Sequence, residues 1–72
     1  MITYNPFWET LRKSQEKTYS LINDHHVSSA IIDKLCKNKP MNTTTINDLC
    51  RILQCDIQDI AQYIPSDDDQ AL

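Results

Sequence analysis

The sequence contains no glycine, only three prolines, and three cysteines. Each shortage excludes something. Without glycine, tight hairpin turns and Gly-rich phosphate loops are disfavoured. Three cysteines are an odd number in no metal-like spacing, which argues against a disulfide framework. No apolar run approaches the roughly 18 residues of a membrane span, and no charged-then-apolar leader opens the chain. The expectation is a soluble, cytoplasmic protein with no membrane contact. At 72 residues the chain makes one domain, and a domain of this size buries only about 60% of its unfolded surface. That leaves no room for a core plus a deep cavity. No Ser-His-Asp set or paired-carboxylate arrangement is evident either. The expectation is therefore no enzyme, no cofactor, no bound metal and no small-molecule substrate.

Positive charge is also scarce. Seven Lys and Arg face ten Asp and Glu, for a net charge of -3. The distribution says more than the total. All seven bases (Arg12, Lys13, Lys17, Lys34, Lys37, Lys39 and Arg51) lie in residues 1–55, beside only five acids. Residues 56–72 hold five acids and no base. A protein that gripped nucleic acid by charge alone would be far more basic. Any such contact here must rest on a few placed residues.

What the chain does have is apolar residues at helical spacing, marked off by capping residues. Five short helices are predicted. The first opens at Asn5-Pro6, a good cap followed by a residue suited to the first turn, and carries Phe7, Trp8 and Leu11 to about Ser14. The second opens with Thr18 as cap and carries Leu21, Ile22 and His25. After a short turn at His26-Val27, the third opens at Ser28 and carries Ile31, Ile32, Leu35 and Cys36. Pro40 ends it. The fourth caps at Asn42 and carries Ile46, Leu49, Cys50 and Leu53, an i, i+3, i+4, i+7 stripe. The fifth opens at Asp56 and repeats that spacing with Ile57, Ile60, Ala61 and Ile64 before Pro65. No segment reads better as a strand. The expected fold is all-α, a compact bundle over residues 1–65 with an acidic flexible tail at 66–72.

Two short helices joined by a tight turn, at residues 18–37, have the form of a helix-turn-helix. In that unit the second helix enters the DNA major groove and the first crosses the backbone. Leu21, Ile22, Val27, Ile32 and Leu35 can hold the two helices at a fixed angle. Ser28, Ser29, Ala30, Asp33, Lys34 and Lys37 would then face outward. Ser can bond base edges or phosphates, Lys can reach guanine or phosphate, and Ala can pack on a thymine methyl. On residues alone, a helical hairpin inside another small bundle remains open.

Residues 17–64 resemble the Cro/CI (lambda-repressor-like) family of helix-turn-helix domains, in particular its small single-domain bacterial and mobile-element members. Thr18, Leu21, Val27-Ser28-Ser29, Ile32 and Leu35 carry the resemblance, joined by the stretch from Asn42 to Ile60 and the opening ITYNPFWETL. The resemblance implies about five helices, dimeric operator binding and control of transcription, as a repressor. It assigns base reading to Ser29, Ala30, Asp33 and Lys34. It places Thr18, Ser28, Lys37, Asn38, Lys39 and Thr43 against phosphates, Thr18 through the amides of a helix start. The fifth helix divides between core and a homodimer contact, with Ile60, Tyr63 and Ile64 as the dimer candidates. Three positions depart from the family. His26 and Gln54 stand where glycine is usual, and Ile22 stands where a small residue is usual. Asp33 would repel phosphate, so it either accepts from cytosine or pairs with Lys37 one turn on.

Other features read as structural. Cys50 and Cys55 suit buried packing, His25-His26 are neighbours that point apart, and Trp8 belongs with the core. The competing functional reading is a protein-interaction module, such as the antitoxin half of a toxin–antitoxin pair, suggested by the negative charge, the acidic tail and the turn without glycine.

Overall fold

The computed structural model describes residues 1–69. The last three positions of the expected acidic tail, 70–72, lie outside the described residues. In chain order the elements are β1 (Ile2–Thr3), α1 (Asn5–Lys13), α2 (Thr18–Asn23), α3 (Ser29–Lys37), α4 (Thr43–Leu53), a 3-10 turn (Ile57–Asp59) and β2 (Gln62–Tyr63). The fold is mostly helical, with four helices and a small antiparallel ribbon in which Ile2 faces Tyr63 and Thr3 faces Gln62. No helix among the described residues is long and apolar enough to cross a membrane.

The helices begin and end for local reasons. Pro6 sits in the first turn of α1, where its missing N–H costs nothing, although the capping position is Tyr4 rather than Asn5. At the start of α2 the cap is Lys17 rather than Thr18. The Ser20 hydroxyl accepts from the Lys17 amide at 2.8 Å and reaches the Glu16 carboxylate at 2.7 Å. Ser28 caps α3 as expected, its hydroxyl accepting from the Ile31 amide at 3.2 Å.

Three residues other than glycine take positive φ among the described residues, each just after a helix: His26 at 60°, Asn38 at 54° and Gln54 at 52°. This left-handed conformation turns the chain so that late carbonyls find donors. The Val27 amide reaches Leu21 O at 2.9 Å, Lys39 reaches Lys34 O at 3.0 Å, and Cys55 reaches Cys50 O at 3.0 Å. A Cβ in this region is costly, least so for Asn. A chain without glycine accepts that cost at all three places.

The core is Tyr4, Phe7, Leu11, Leu21, Leu35, Leu49 and Ile60, so every helix contributes at least one fully enclosed side chain. Trp8 is half-buried and packs edge-on to Phe7 with ring centroids 4.8 Å apart. Cys50 and Cys55 pack against the core, and burial pushes the Cys55 thiol up to about 11. Several residues of the expected apolar stripes lie outside it. Ile22 is 38% exposed and Cys36 is exposed.

The expected fifth helix does not form. Its residues make the 3-10 turn and then β2. The Thr10 hydroxyl donates to Asp59 O at 2.7 Å, which occupies the carbonyl that an α-helix would offer to residue 63. Pro65 follows at once and biases Ile64 away from helical angles. The expectation of no strand fails at the same place, because β1 supplies a pairing partner and the Ile64 amide bonds to Met1 O at 2.8 Å. Beyond it, Ser66 anchors a turn: its carbonyl accepts from the Asp69 amide at 3.2 Å and its hydroxyl from the Asp68 amide at 3.2 Å.

Candidate nucleic-acid interface

Helix α2 ends at Asn23, and the chain reverses through His26 into α3. The turn is fixed by the Val27 amide bonding to Leu21 O and by Val27 packing against the core. Leu21 and Leu35 are 0% and 1% exposed, so the inner faces of both helices are anchored in the same apolar cluster. This fixes which face of α3 is left over.

That remaining face carries Ser29, Ala30, Asp33 and Lys37, all exposed, with Lys34 half-buried beside them. Lys34 can lay its stem along apolar surface and keep its ammonium in water. The Lys37 ammonium lies 3.1 Å from the Asp33 carboxylate, one helical turn apart. The pair offsets the charge that Asp33 would otherwise present to phosphate. An exposed pair of this kind is weak and can be exchanged for a phosphate or base partner.

The flanking residues are distributed around this face. Thr18 is the first residue of α2, where helix amides lack partners within the helix. Ser28 is exposed, but its hydroxyl already serves the α3 cap. Lys39 is exposed just past α3, and Thr43 is the exposed first residue of α4. Sequence reasoning passes over Tyr19, which follows Thr18 and is 76% exposed. Its signal was present: an aromatic residue off the apolar stripe at the second position of a helix. Beneath α2, the Glu16 carboxylate lies 3.1 Å from the His25 ring. The hydrogen bond from Ser20, and then that with His25, hold the Glu16 carboxyl below its ordinary range.

Asn38, expected against phosphate, has its side-chain oxygen turned into the fold, accepting from the Tyr4 amide at 2.9 Å and lying 3.4 Å from the Thr3 hydroxyl. One assignment needs correction. Ile60 was placed at a dimer contact, yet it is 0% exposed and belongs to the core. The other two dimer candidates, Tyr63 and Ile64, are exposed, and Ile2 is exposed opposite Tyr63 on the ribbon.

The arrangement is thus a braced helix with a short, mixed polar face, preceded by a helix start and followed by exposed lysines. Comparison with known proteins agrees with that geometry. A sequence model of the Cro/C1-type HTH DNA-binding domain matches residues 7–66. Among solved structures, the chain is similar to that of the transcriptional regulator VanUg, at 31% identity and a TM-score of 0.79, covering 90% of this chain and 87% of that one. No curated protein sequence matches the chain.

Proposed function

Because the chain belongs to the Cro/C1-type helix-turn-helix DNA-binding family, we propose that it regulates transcription by binding a specific duplex DNA sequence, as a repressor. Helix α3 enters the major groove. Ser29, Ala30, Asp33 and Lys34 meet base edges there, while Thr18, Ser28, Lys37, Lys39 and Thr43 meet backbone phosphates. The protein acts by binding, not by catalysis, and works in the cytoplasm.

The observation that carries this reading is the exposure of one continuous polar face on a helix whose opposite face is locked into the core. A face made of small side chains lets the helix backbone approach the groove floor closely. The similar solved structure described above is named as a transcriptional regulator, which supports the same use of the fold.

The protein acts as a homodimer, joined through the exposed apolar residues of the ribbon and its end, Ile2, Tyr63 and Ile64. Two recognition helices would then lie about 34 Å apart, one turn of DNA. Residues 1–65 form the binding unit, and the acidic residues after Pro65 discourage non-specific contact with phosphate.

Selection from a pool of randomised duplexes tests the reading. The expected result is one preferred sequence, and a Ser29→Ala plus Lys34→Ala variant that binds it at least roughly tenfold more weakly. Equal binding by that variant would remove the base-reading assignment. No binding to any duplex at low salt would remove the function.

A further inference from the structure

The recognition helix is held at both ends, and the second brace has no counterpart in the helix-turn-helix itself. Its N-terminal end is fixed by the turn through His26. Its C-terminal end is fixed to a part of the chain some 34 residues away. There, Asn38 Oδ1 accepts from the Tyr4 amide at 2.9 Å, the Thr3 hydroxyl lies 3.4 Å from the same oxygen, and the Tyr4 hydroxyl donates to Lys39 O at 2.8 Å. Thr3 and Tyr4 are 2% and 3% exposed, so these bonds are part-buried, enclosed on the side of the strand and α1. Tyr4 also begins α1, because its carbonyl accepts from the Phe7 amide at 3.0 Å. The last turn of α3 is therefore bolted to the junction of β1 and α1.

We infer that Asn38 is a positioning residue for sequence recognition: it sets the angle of α3 against the rest of the domain, and does not itself hold DNA. The inference rests on the reading of α3 as the recognition helix. The chemistry requires asparagine for two separate reasons. Its backbone sits in the left-handed region, which Asn tolerates better than most residues. Its side chain supplies the acceptor that the Tyr4 amide needs, since that buried donor has no place in the two-residue ladder. Base contacts depend on placement, so a helix free to tilt loses discrimination among sequences before it loses general attraction to the backbone.

Two substitutions separate the roles. Asn38→Gly keeps the left-handed backbone and deletes the side-chain acceptor. Asn38→Asp keeps an acceptor at the same position, replacing the amide NH2 with a second carboxylate oxygen and adding a negative charge. The quantity to measure is the ratio of affinity for the selected duplex to affinity for a scrambled one, at fixed salt. Because the ratio cancels the repulsion that Asp adds on both duplexes, it reports placement rather than charge. The expected result is a ratio lowered roughly tenfold in Asn38→Gly and restored in Asn38→Asp. A phosphate contact predicts the opposite pattern, with Asn38→Gly weakening both duplexes equally and leaving the ratio intact. That pattern overturns the inference, as does a ratio lost equally in both variants.

Hydrogen exchange of the Tyr4 amide gives a readout independent of DNA. It should accelerate in Asn38→Gly and return toward the wild-type rate in Asn38→Asp. Unchanged exchange in Asn38→Gly overturns the clamp. If the wild-type protein shows no sequence preference, the recognition-helix reading falls, and the role of Asn38 in recognition falls with it.

Discussion

Two stretches of this chain carry the same apolar spacing and fold differently. Ile46, Leu49, Cys50 and Leu53 form one face of α4, an eleven-residue helix. Ile57, Ile60, Ala61 and Ile64 repeat that i, i+3, i+4, i+7 pattern but form a 3-10 turn and half of a two-stranded ribbon. The difference lies in what surrounds them. Helix α4 has room for three turns before Gln54 closes it in the left-handed conformation. The later stretch has eight positions before Pro65, too few for a helix to be stable without help. It also meets two competitors for its backbone groups, the Thr10 hydroxyl at Asp59 O and the β1 strand. Periodicity marks which residues seek burial. It does not decide which backbone hydrogen bonds carry them there.

The comparison can be broken most sharply within the second stretch. Ile60 is fully buried while Ile57 is 59% exposed, although both hold equivalent places in the stripe. Ile60→Ala should cost about 2–5 kcal/mol of unfolding free energy, and Ile57→Ala no more than about 0.5 kcal/mol. Chemical denaturation of the two variants measures both. Similar losses would mean that residues 57–64 pack as a helix after all.

A smaller effect concerns how the helices end. Gln54→Gly should stabilise the fold by about 1 kcal/mol, and His26→Gly similarly, by relieving a Cβ in the left-handed region. Thermal melts would show a rise in Tm for each. Asn38→Gly should show less gain than either, because it also forfeits the bond to the Tyr4 amide.

Thiol labelling sharpens the contrast between surface and core. Cys36 is exposed, whereas Cys55 is half-buried with its thiol held up at about 11. At pH 8 Cys36 should react first and Cys55 last, since the thiolate is the nucleophile. Equal rates for the two would show that the α4 end opens readily.

The smallest effect is on acid stability. The folded-state Glu16 carboxyl sits below its ordinary range, through Ser20 and then His25. Its contribution is therefore present above the unfolded-state value and is lost as pH falls through the lowered folded-state value. Glu16→Gln should lower stability slightly at neutral pH and leave it nearly unchanged at the acid end, so that the acid side of the stability curve becomes shallower. A steeper acid side in that variant would contradict the bonding seen around Glu16.

Much of the binding half was legible because its signals are local. Ser28 caps α3, Pro40 follows its end, and Leu21 and Leu35 fall on one inner face, all within a span of some twenty residues. His26 and Gln54 stand where the family has glycine, and both take positive φ. The ribbon was not legible, because strands of two residues have no period and their partners lie some sixty positions apart. The inward bond of Asn38 was hidden for a related reason. Beside Lys37 and Lys39 an asparagine looks like a phosphate contact, and only the fold brings Thr3 and Tyr4 to it.

The central claim is that α3 and its flanks, not the ribbon, are the surface that meets DNA. Mapping backbone amide shifts while a selected duplex is added tests it most directly. The account predicts the largest changes at Thr18, at Ser28 to Lys34, and at Lys37, Lys39 and Thr43, with smaller changes at Gln62 to Ile64. Changes centred on the ribbon, with α3 unmoved, would contradict it.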